Sequence, residues 1–499
     1  MKAVLPILLA VALGGARADI PPFTEHYFTQ TVDHFRYSND TATYQQRYLM
    51  NDQYYTGAGA LPGTKCKGPI LFYTGNEGPI DAFWGSNGFM LEVLAPKLGA
   101  LAVFGEHRYY GKSSPVPAGA AAPWSHANAA YLTTEQALAD YVALLAHVKA
   151  TVPGAAGCPV IAFGGSYGGT LTTYLRTKYP AVVAGGLAAS APVGYYAHAA
   201  WPAHGVDAFT WMGVVNRDYS ETQHGAPGEC LARLGAAVAA VRAAEKTNLA
   251  ALEAALHLCP ARAGDQPVEF FVTDALESTP QMDYPYAIGA MPAWPVNATC
   301  ETIMGVADMN DQSAVLSAVG ELMARYYAYD GKTCLPNVGQ GGVPGNGPWP
   351  ANAWGYQSCT ETLHQFSTPP GSWRNFTFDL AAANANCATW YGVTPRPAYT
   401  EAHFGGFSLA ETATNLIWSN GLLDPWHGGG YLTAPADAAA RGVHLIQMPR
   451  GAHHLDLRGP HPQDPPDVTA ARALEEEIIR GWIDDAAEAL RAKEAAAMV

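Results

Sequence analysis

Val160-Ile-Ala-Phe-Gly-Gly-Ser166-Tyr-Gly-Gly-Thr-Leu-Thr-Thr-Tyr-Leu175 is the stretch on which the rest of the chain is read. Four apolar residues predict a short buried strand, a glycine-rich turn carries one serine, and an apolar-periodic run opens a helix. This is the strand–turn–helix setting of a nucleophile elbow, in which the serine sits on a sharp, strained turn. Gly164 and Gly168 suit that turn because a Cβ at either position would crowd it. The following helix aims its N-terminus at Ser166 and favours negative charge developing there. A single G-x-S-x-G in a chain with 51 glycines carries little weight alone. The weight comes from the context, and from whether an acid and a histidine follow in the right order.

Working outward, residues 69–74, 100–104 and 185–190 are further short apolar runs that predict strands. Residues 134–148 keep a helical apolar period through Leu138, Tyr141, Val142, Leu145 and Val148, and Thr133 with Gln136 forms a capping-box pattern at its start. Buried strands alternating with helices predict a parallel sheet in an α/β fold. The texture then changes. Residues 231–258 and 312–328 read as helices, 335–375 as irregular, and strands resume at 414–419 and 443–448 before a closing helix over 470–496. The expected organisation is a signal segment (1–18), a first part of the core (19–195), an inserted helical domain (196–400) and a second part of the core (401–499).

The two late strands each end in chemistry. The first runs into Ser419-Asn-Gly-Leu-Leu-Asp424-Pro-Trp426, the second into Gly451-Ala-His453-His454-Leu-Asp456. Ser166, Asp424 and His453 come in the chain order Ser…Asp…His, and each follows a strand, as active-site groups do at the carboxyl ends of a parallel sheet. Ser166 is a weak nucleophile until a base takes its proton. His453 is the expected base, and Asp424 the group that fixes the imidazole tautomer. The Tyr167 amide and the loop Gly75-Asn76-Glu77-Gly78 are the expected oxyanion donors. His454 reads as a structural neighbour, since such a site needs one base.

Composition narrows the rest. The 499 residues are 49% hydrophobic and 14% charged, which fits a folded protein of more than one domain. A net charge of −15 argues against a nucleic-acid partner, which would need a basic face. Lys2, the short apolar run after it and Ala16-Arg17-Ala18 read as a cleavable secretory signal, and no later run reaches transmembrane length, so no membrane partner is expected once it is removed. Eight cysteines without zinc spacing, and sequons at Asn39, Asn297 and Asn375, agree with an oxidising, exported setting, a lysosome or vacuole or the cell exterior. No metal and no cofactor are implied.

Several stretches resemble the lysosomal Pro-X carboxypeptidases and dipeptidyl peptidase II: residues 27–35, 45–48, 72–78, 106–111, 164–169, 419–426 and 451–458. The resemblance covers about residues 23–485. It implies an α/β-hydrolase core with an inserted helical cap, the SKS domain, cleavage of peptide substrates on the carboxyl side of proline, and in many members a homodimer. It also implies the triad Ser166, Asp424 and His453, and the pairs Cys230–Cys300, Cys259–Cys334 and Cys359–Cys387. Cys66 and Cys158 remain. Each lies just before a core strand, and neighbouring strands ~4.8 Å apart suit a disulfide between them.

Substrate choice is less legible. Trp426 is a candidate aromatic wall for proline, and Thr170 stands where the family commonly has Met. A dipeptidyl peptidase must hold an ammonium with a carboxylate; a carboxypeptidase must hold a carboxylate with a cation or donors. Glu77 and Glu361 are candidate ammonium holders, yet Gly355 stands where the dipeptidyl peptidase II pattern has Asp, which tilts the reading to carboxypeptidase. A lipase or esterase, and a catalytically silent binding protein, would share the fold.

Overall fold

The computed structural model describes residues 20–37, 42–116, 126–261, 267–336 and 350–496. The signal segment and the Asn39 sequon lie outside them. Eight strands form one sheet in the order β1-β2-β4-β3-β5-β6-β7-β8. They are β1 (Thr24–Thr31), β2 (Thr43–Asn51), β3 (Ile70–Thr74), β4 (Leu101–Gly105), β5 (Val160–Gly165), β6 (Gly185–Ala189), β7 (Leu416–Gly421) and β8 (Val443–Met448). β3 to β8 run parallel; β1 and β2 are added antiparallel at one edge.

Every residue of β3 to β7 is buried. This explains why those strands read as continuous apolar runs: both faces are covered. β1 escapes such a reading because it is a mostly exposed edge of polar and aromatic residues, and β2 because polar Gln46 and Arg47 are among its buried residues. β4 lies on one side of β3 and β5 on the other, so the strand order reverses at β3. The crevice above their carboxyl ends is where ligands bind in open α/β sheets.

The helix Thr134–Thr151 begins at Thr133, whose hydroxyl accepts from the Gln136 amide. The capping box is only half formed. The Gln136 side chain turns away, donating to Asp33 and accepting from the His34 amide. The same helix carries Asp140, fully buried in a two-pronged pair with Arg108 at 2.6 and 2.7 Å. Glu106 accepts from the amides of Ile80 and Lys112 and from the Ser113 hydroxyl. The 106–111 stretch therefore works as scaffold.

Between β6 and β7 lie most of the remaining helices, including Thr210–Asp218, Cys230–Thr247, Val268–Ser278, Pro295–Met304, Gln312–Tyr326 and Leu380–Tyr391. The expectation of an irregular 335–375 segment needs correction, since residues 350–360 form the helix Pro350–Thr360. Disulfides join Cys230 to Cys300, Cys259 to Cys334, Cys359 to Cys387 and Cys66 to Cys158. The last of these sits at the entry to β3 and β5, which pair from Ile70 opposite Val160.

Candidate active site

Ser166 stands between β5 and the helix Tyr167–Lys178 with φ 58° and ψ −128°. For a residue with a Cβ this is a strained conformation, and strain of this kind collects at functional sites. The backbone around it is packed too closely for side chains. A Cβ on Gly164 would fall 2.1 Å from the Gly168 carbonyl, and one on Gly165 would fall 2.8 Å from the His454 ring. The nucleophile turn thus rests directly on the loop that carries the histidine pair.

His453 Nδ1 lies 2.6 Å from Asp424 Oδ2, with both side chains buried. The other Asp424 oxygen accepts from the Trp426 amide at 3.1 Å. The His453 amide donates to the Gln281 carbonyl at 3.0 Å, and the Tyr284 hydroxyl donates to the His453 carbonyl at 3.1 Å. Both partners come from the inserted segment. Only Nε2 of His453 has no hydrogen-bond partner among the described residues. That is the nitrogen a serine hydroxyl would use, and such bonds in free enzymes commonly close only when substrate arrives. His454 sits beside it, ring centroids 4.4 Å apart, and its amide donates to Ser190 Oγ. Burial pushes its imidazole well below its ordinary range, which makes it a poor base.

The expected oxyanion loop is only partly available. The Gly75 amide donates to the Gly105 carbonyl at 3.0 Å, and the Gly75 carbonyl accepts from the Tyr141 hydroxyl. Gly75 is therefore corrected from a donor to a fixed part of the scaffold. Asn76 lies against the nucleophile helix, so that a Cβ on Gly168 would sit 3.2 Å from its Oδ1. The Asn76 side chain is tied to the Tyr73 hydroxyl at 3.2 Å and to Glu77 at 2.9 Å. The main-chain amides of Asn76 and Tyr167 remain the candidate pair.

The two candidate ammonium holders fare differently. Glu77 is buried, and burial raises its pKa to about 7, opposed by its own amide, the Asn76 side chain and the nearby His453. Glu361 is turned to the start of helix Thr134–Thr151. Its carboxyl accepts from the Thr134 amide at 3.1 and 3.0 Å and from the Thr134 hydroxyl at 2.8 Å. Burial, and then the neighbouring Glu135, lifts it to about 8. It is corrected from a substrate-binding group to a helix cap reaching from the inserted segment into the core.

Trp426 belongs to an aromatic cluster with Tyr195, Trp211, His364 and Phe366, at ring centroid distances of 6.0, 5.8, 5.4 and 5.9 Å. Its indole N–H donates to Gln281 Oε1 at 2.8 Å. Gln281 thus touches both Trp426 and His453. Sequence reasoning missed it, along with Tyr284 and His364, because each lies in a segment without a motif; Trp354 lies beside Gly355 in the stretch that ends at Glu361, and nothing local marks its own role. Arg458 stacks on the Tyr284 ring at 4.4 Å, and its Nε and one terminal nitrogen have no partner among the described residues. Thr170 is buried one turn after Ser166 with its hydroxyl unpartnered. Of the remaining sequons, Asn375 is exposed, and the Asn297 amide donates to Glu301. Among the described residues there is no cluster of His, Cys, Asp and Glu able to hold a metal ion, and no helix long and apolar enough to cross a membrane.

A parallel sheet with a strained serine after β5 and an Asp–His pair after β7 and β8 defines an α/β-hydrolase. The chain belongs to the serine carboxypeptidase S28 family, whose model matches residues 30–475, and it is a serine-type exopeptidase. It is 37% identical to the lysosomal Pro-X carboxypeptidase of Homo sapiens, over 92% of this chain and 88% of that one. It is 32% identical to the prolyl carboxy peptidase like protein 5 of Caenorhabditis elegans, over 93% and 91%. Identity to the thymus-specific serine protease of Mus musculus is 27%, over 92% and 87%.

Proposed function

We propose that the protein is a Pro-X carboxypeptidase that removes the residue after a penultimate proline through an acyl-enzyme. Ser166 Oγ attacks the carbonyl of that proline while His453 takes its proton and passes it to the departing amine. Asp424 holds the imidazole tautomer and stabilises the imidazolium. The amides of Tyr167 and Asn76 receive the charge on the carbonyl oxygen at the N-terminus of helix Tyr167–Lys178. Water then takes the place of the amine, and the same histidine activates it. The proline ring lies against Trp426, a flat apolar wall beside the acid.

One observation carries the choice between carboxypeptidase and dipeptidyl peptidase: neither candidate carboxylate, Glu77 or Glu361, offers a charge to a substrate ammonium in acid. The dipeptidyl peptidase II acid falls at Gly355, where a Cβ would meet the Tyr391 hydroxyl at 2.2 Å. Glu361 is consumed by Thr134, and Glu77, at about 7, is neutral in acid. The cation that a terminal carboxylate needs is offered by Arg458, which makes no ion pair among the described residues and rests on Tyr284 beside His453. Names of the relatives and the run of buried, protonated carboxyls both favour work in an acidic compartment of the secretory route.

The test is a paired assay at pH 5. One peptide has a blocked N-terminus and ends in Pro-Phe with a free carboxylate; the other is a Lys-Pro amide with a free amine. Release of phenylalanine from the first alone is expected. Cleavage of the second alone would replace this reading with a dipeptidyl peptidase.

A further inference from the structure

The packing beside Ser166 holds more unpartnered polarity than a proline ring can use. Thr170 Oγ1, the Tyr174 hydroxyl, the Trp354 indole N–H and both ring nitrogens of His364 are buried without a hydrogen-bond partner among the described residues. These groups are neighbours. Tyr167, Thr170 and Tyr174 follow at three- and four-residue spacing on one face of the helix Tyr167–Lys178. The Tyr167 ring is 5.2 Å from Trp354, and Trp354 is 6.3 Å from His364. Tyr196 closes the ring of contacts, 5.5 Å from His364 and within electrostatic reach of Tyr167 and Tyr174. The Thr170 amide donates to the Ser166 carbonyl at 3.0 Å, which pins this face one turn from the nucleophile.

Buried polar groups in folded proteins are almost always paired. Buried atoms without a partner occur elsewhere in the molecule too, but these five are gathered beside one catalytic serine, where a substrate can bring their partners. The rest of the wall is apolar and flat: His364 lies 5.2 Å from Phe366 and 5.4 Å from Trp426. Burial depresses the His364 imidazole to about 3, so it stays neutral in acid and presents one donor and one acceptor.

We propose that this slot is built for a hydroxylated imino acid, 4-hydroxyproline, whose ring packs on Trp426 and Phe366 while its hydroxyl bonds to His364 and Thr170. The inference rests on the carboxypeptidase reading and names the substrate class of the same site. The reaction itself is unchanged: the serine ester forms on the hydroxyproline carbonyl, the C–N bond breaks, and His453 hands its proton to the leaving amine.

The experiment compares kcat/KM for two blocked peptides that differ only in Pro or 4-hydroxyproline before a C-terminal Phe. Wild-type protein is expected to cleave the hydroxyproline peptide at least as well as the proline one. Thr170→Val and His364→Phe are each expected to lower the hydroxyproline-to-proline ratio about tenfold, the value of one neutral hydrogen bond. Thr170→Val keeps the shape of the side chain and decides the matter if His364→Phe does not fold. Two results overturn the proposal while leaving the carboxypeptidase reading intact. One is proline cleaved with hydroxyproline rejected by wild type; the other is a ratio unmoved by Thr170→Val, the slot then holding only water. Cleavage of neither peptide would remove the carboxypeptidase reading, and this proposal with it.

Discussion

On one side of Ser166, Asp424 and His453 ride on the loops after β7 and β8, and only Nε2 of the histidine is left without a partner. On the other side, Trp354, His364 and Thr170 leave four polar atoms unpaired within one aromatic slot. The first side is finished before substrate arrives; the second is finished by it. Bond-breaking chemistry needs donors and acceptors fixed in advance, because reorganising them during reaction costs rate. Recognition works by the opposite means, since an unpaired buried group rejects every ligand that fails to satisfy it.

The sharpest way to break this contrast is Ser166→Ala. It should lower kcat by about 10⁶-fold and abolish labelling by a fluorophosphonate, with the melting temperature little changed. Asp424→Asn should lower kcat by ~10⁴-fold by allowing the wrong tautomer of His453, read from steady-state kinetics at saturating substrate. Arg458→Met belongs to the recognition side. It should raise KM roughly tenfold or more for a free-carboxylate peptide and leave the corresponding C-terminal amide unaffected. An equal effect on both peptides would move Arg458 to a structural role. Glu77→Gln should cost less than ~10-fold at pH 5, where the native group is already protonated, and differ most from wild type above pH 7.

Stability offers a last comparison. Burial raises Glu77 and Asp283 to about 7 and Glu361 to about 8, above their ordinary 4.5, 3.8 and 4.5. The folded state therefore binds protons more tightly than the unfolded one. This contribution is full below about pH 4 and is lost as pH climbs through 7 to 8. Calorimetry should find a higher melting temperature at pH 5 than at pH 8, and Glu361→Gln should narrow the gap.

What could be read from the sequence follows the same division. β3 to β7, the elbow and the order Ser…Asp…His were legible because fully buried strands print as apolar runs and the reactive residues sit at their ends; β8, half-buried at the margin, still shows a short apolar run. β1 was not, since it is an edge strand whose side chains mostly face water, and β2 was not, since its buried positions include Gln46 and Arg47. Gly75 was misread because its motif says nothing of the Gly105 carbonyl that claims its amide. Glu361 was misread for a similar reason: its partner, Thr134, lies 227 residues away. Gln281 and His364 carry no local signal at all, and the stretch around Trp354 drew attention to Gly355 and Glu361 instead. They matter only through what the chain brings against them.

That long reach has a consequence for how the molecule comes into being. A chain emerging from the ribosome makes its nucleophile at Ser166, but the base arrives at His453, after the whole inserted segment. Helix Thr134–Thr151 likewise waits for Glu361 to close its first turn. β7 and β8 lie at one margin of the sheet, so the earlier strands can assemble without them. Synthesis thus yields a scaffold first and a peptidase last, and no partial product carries a working serine that could cut its own unfolded neighbours.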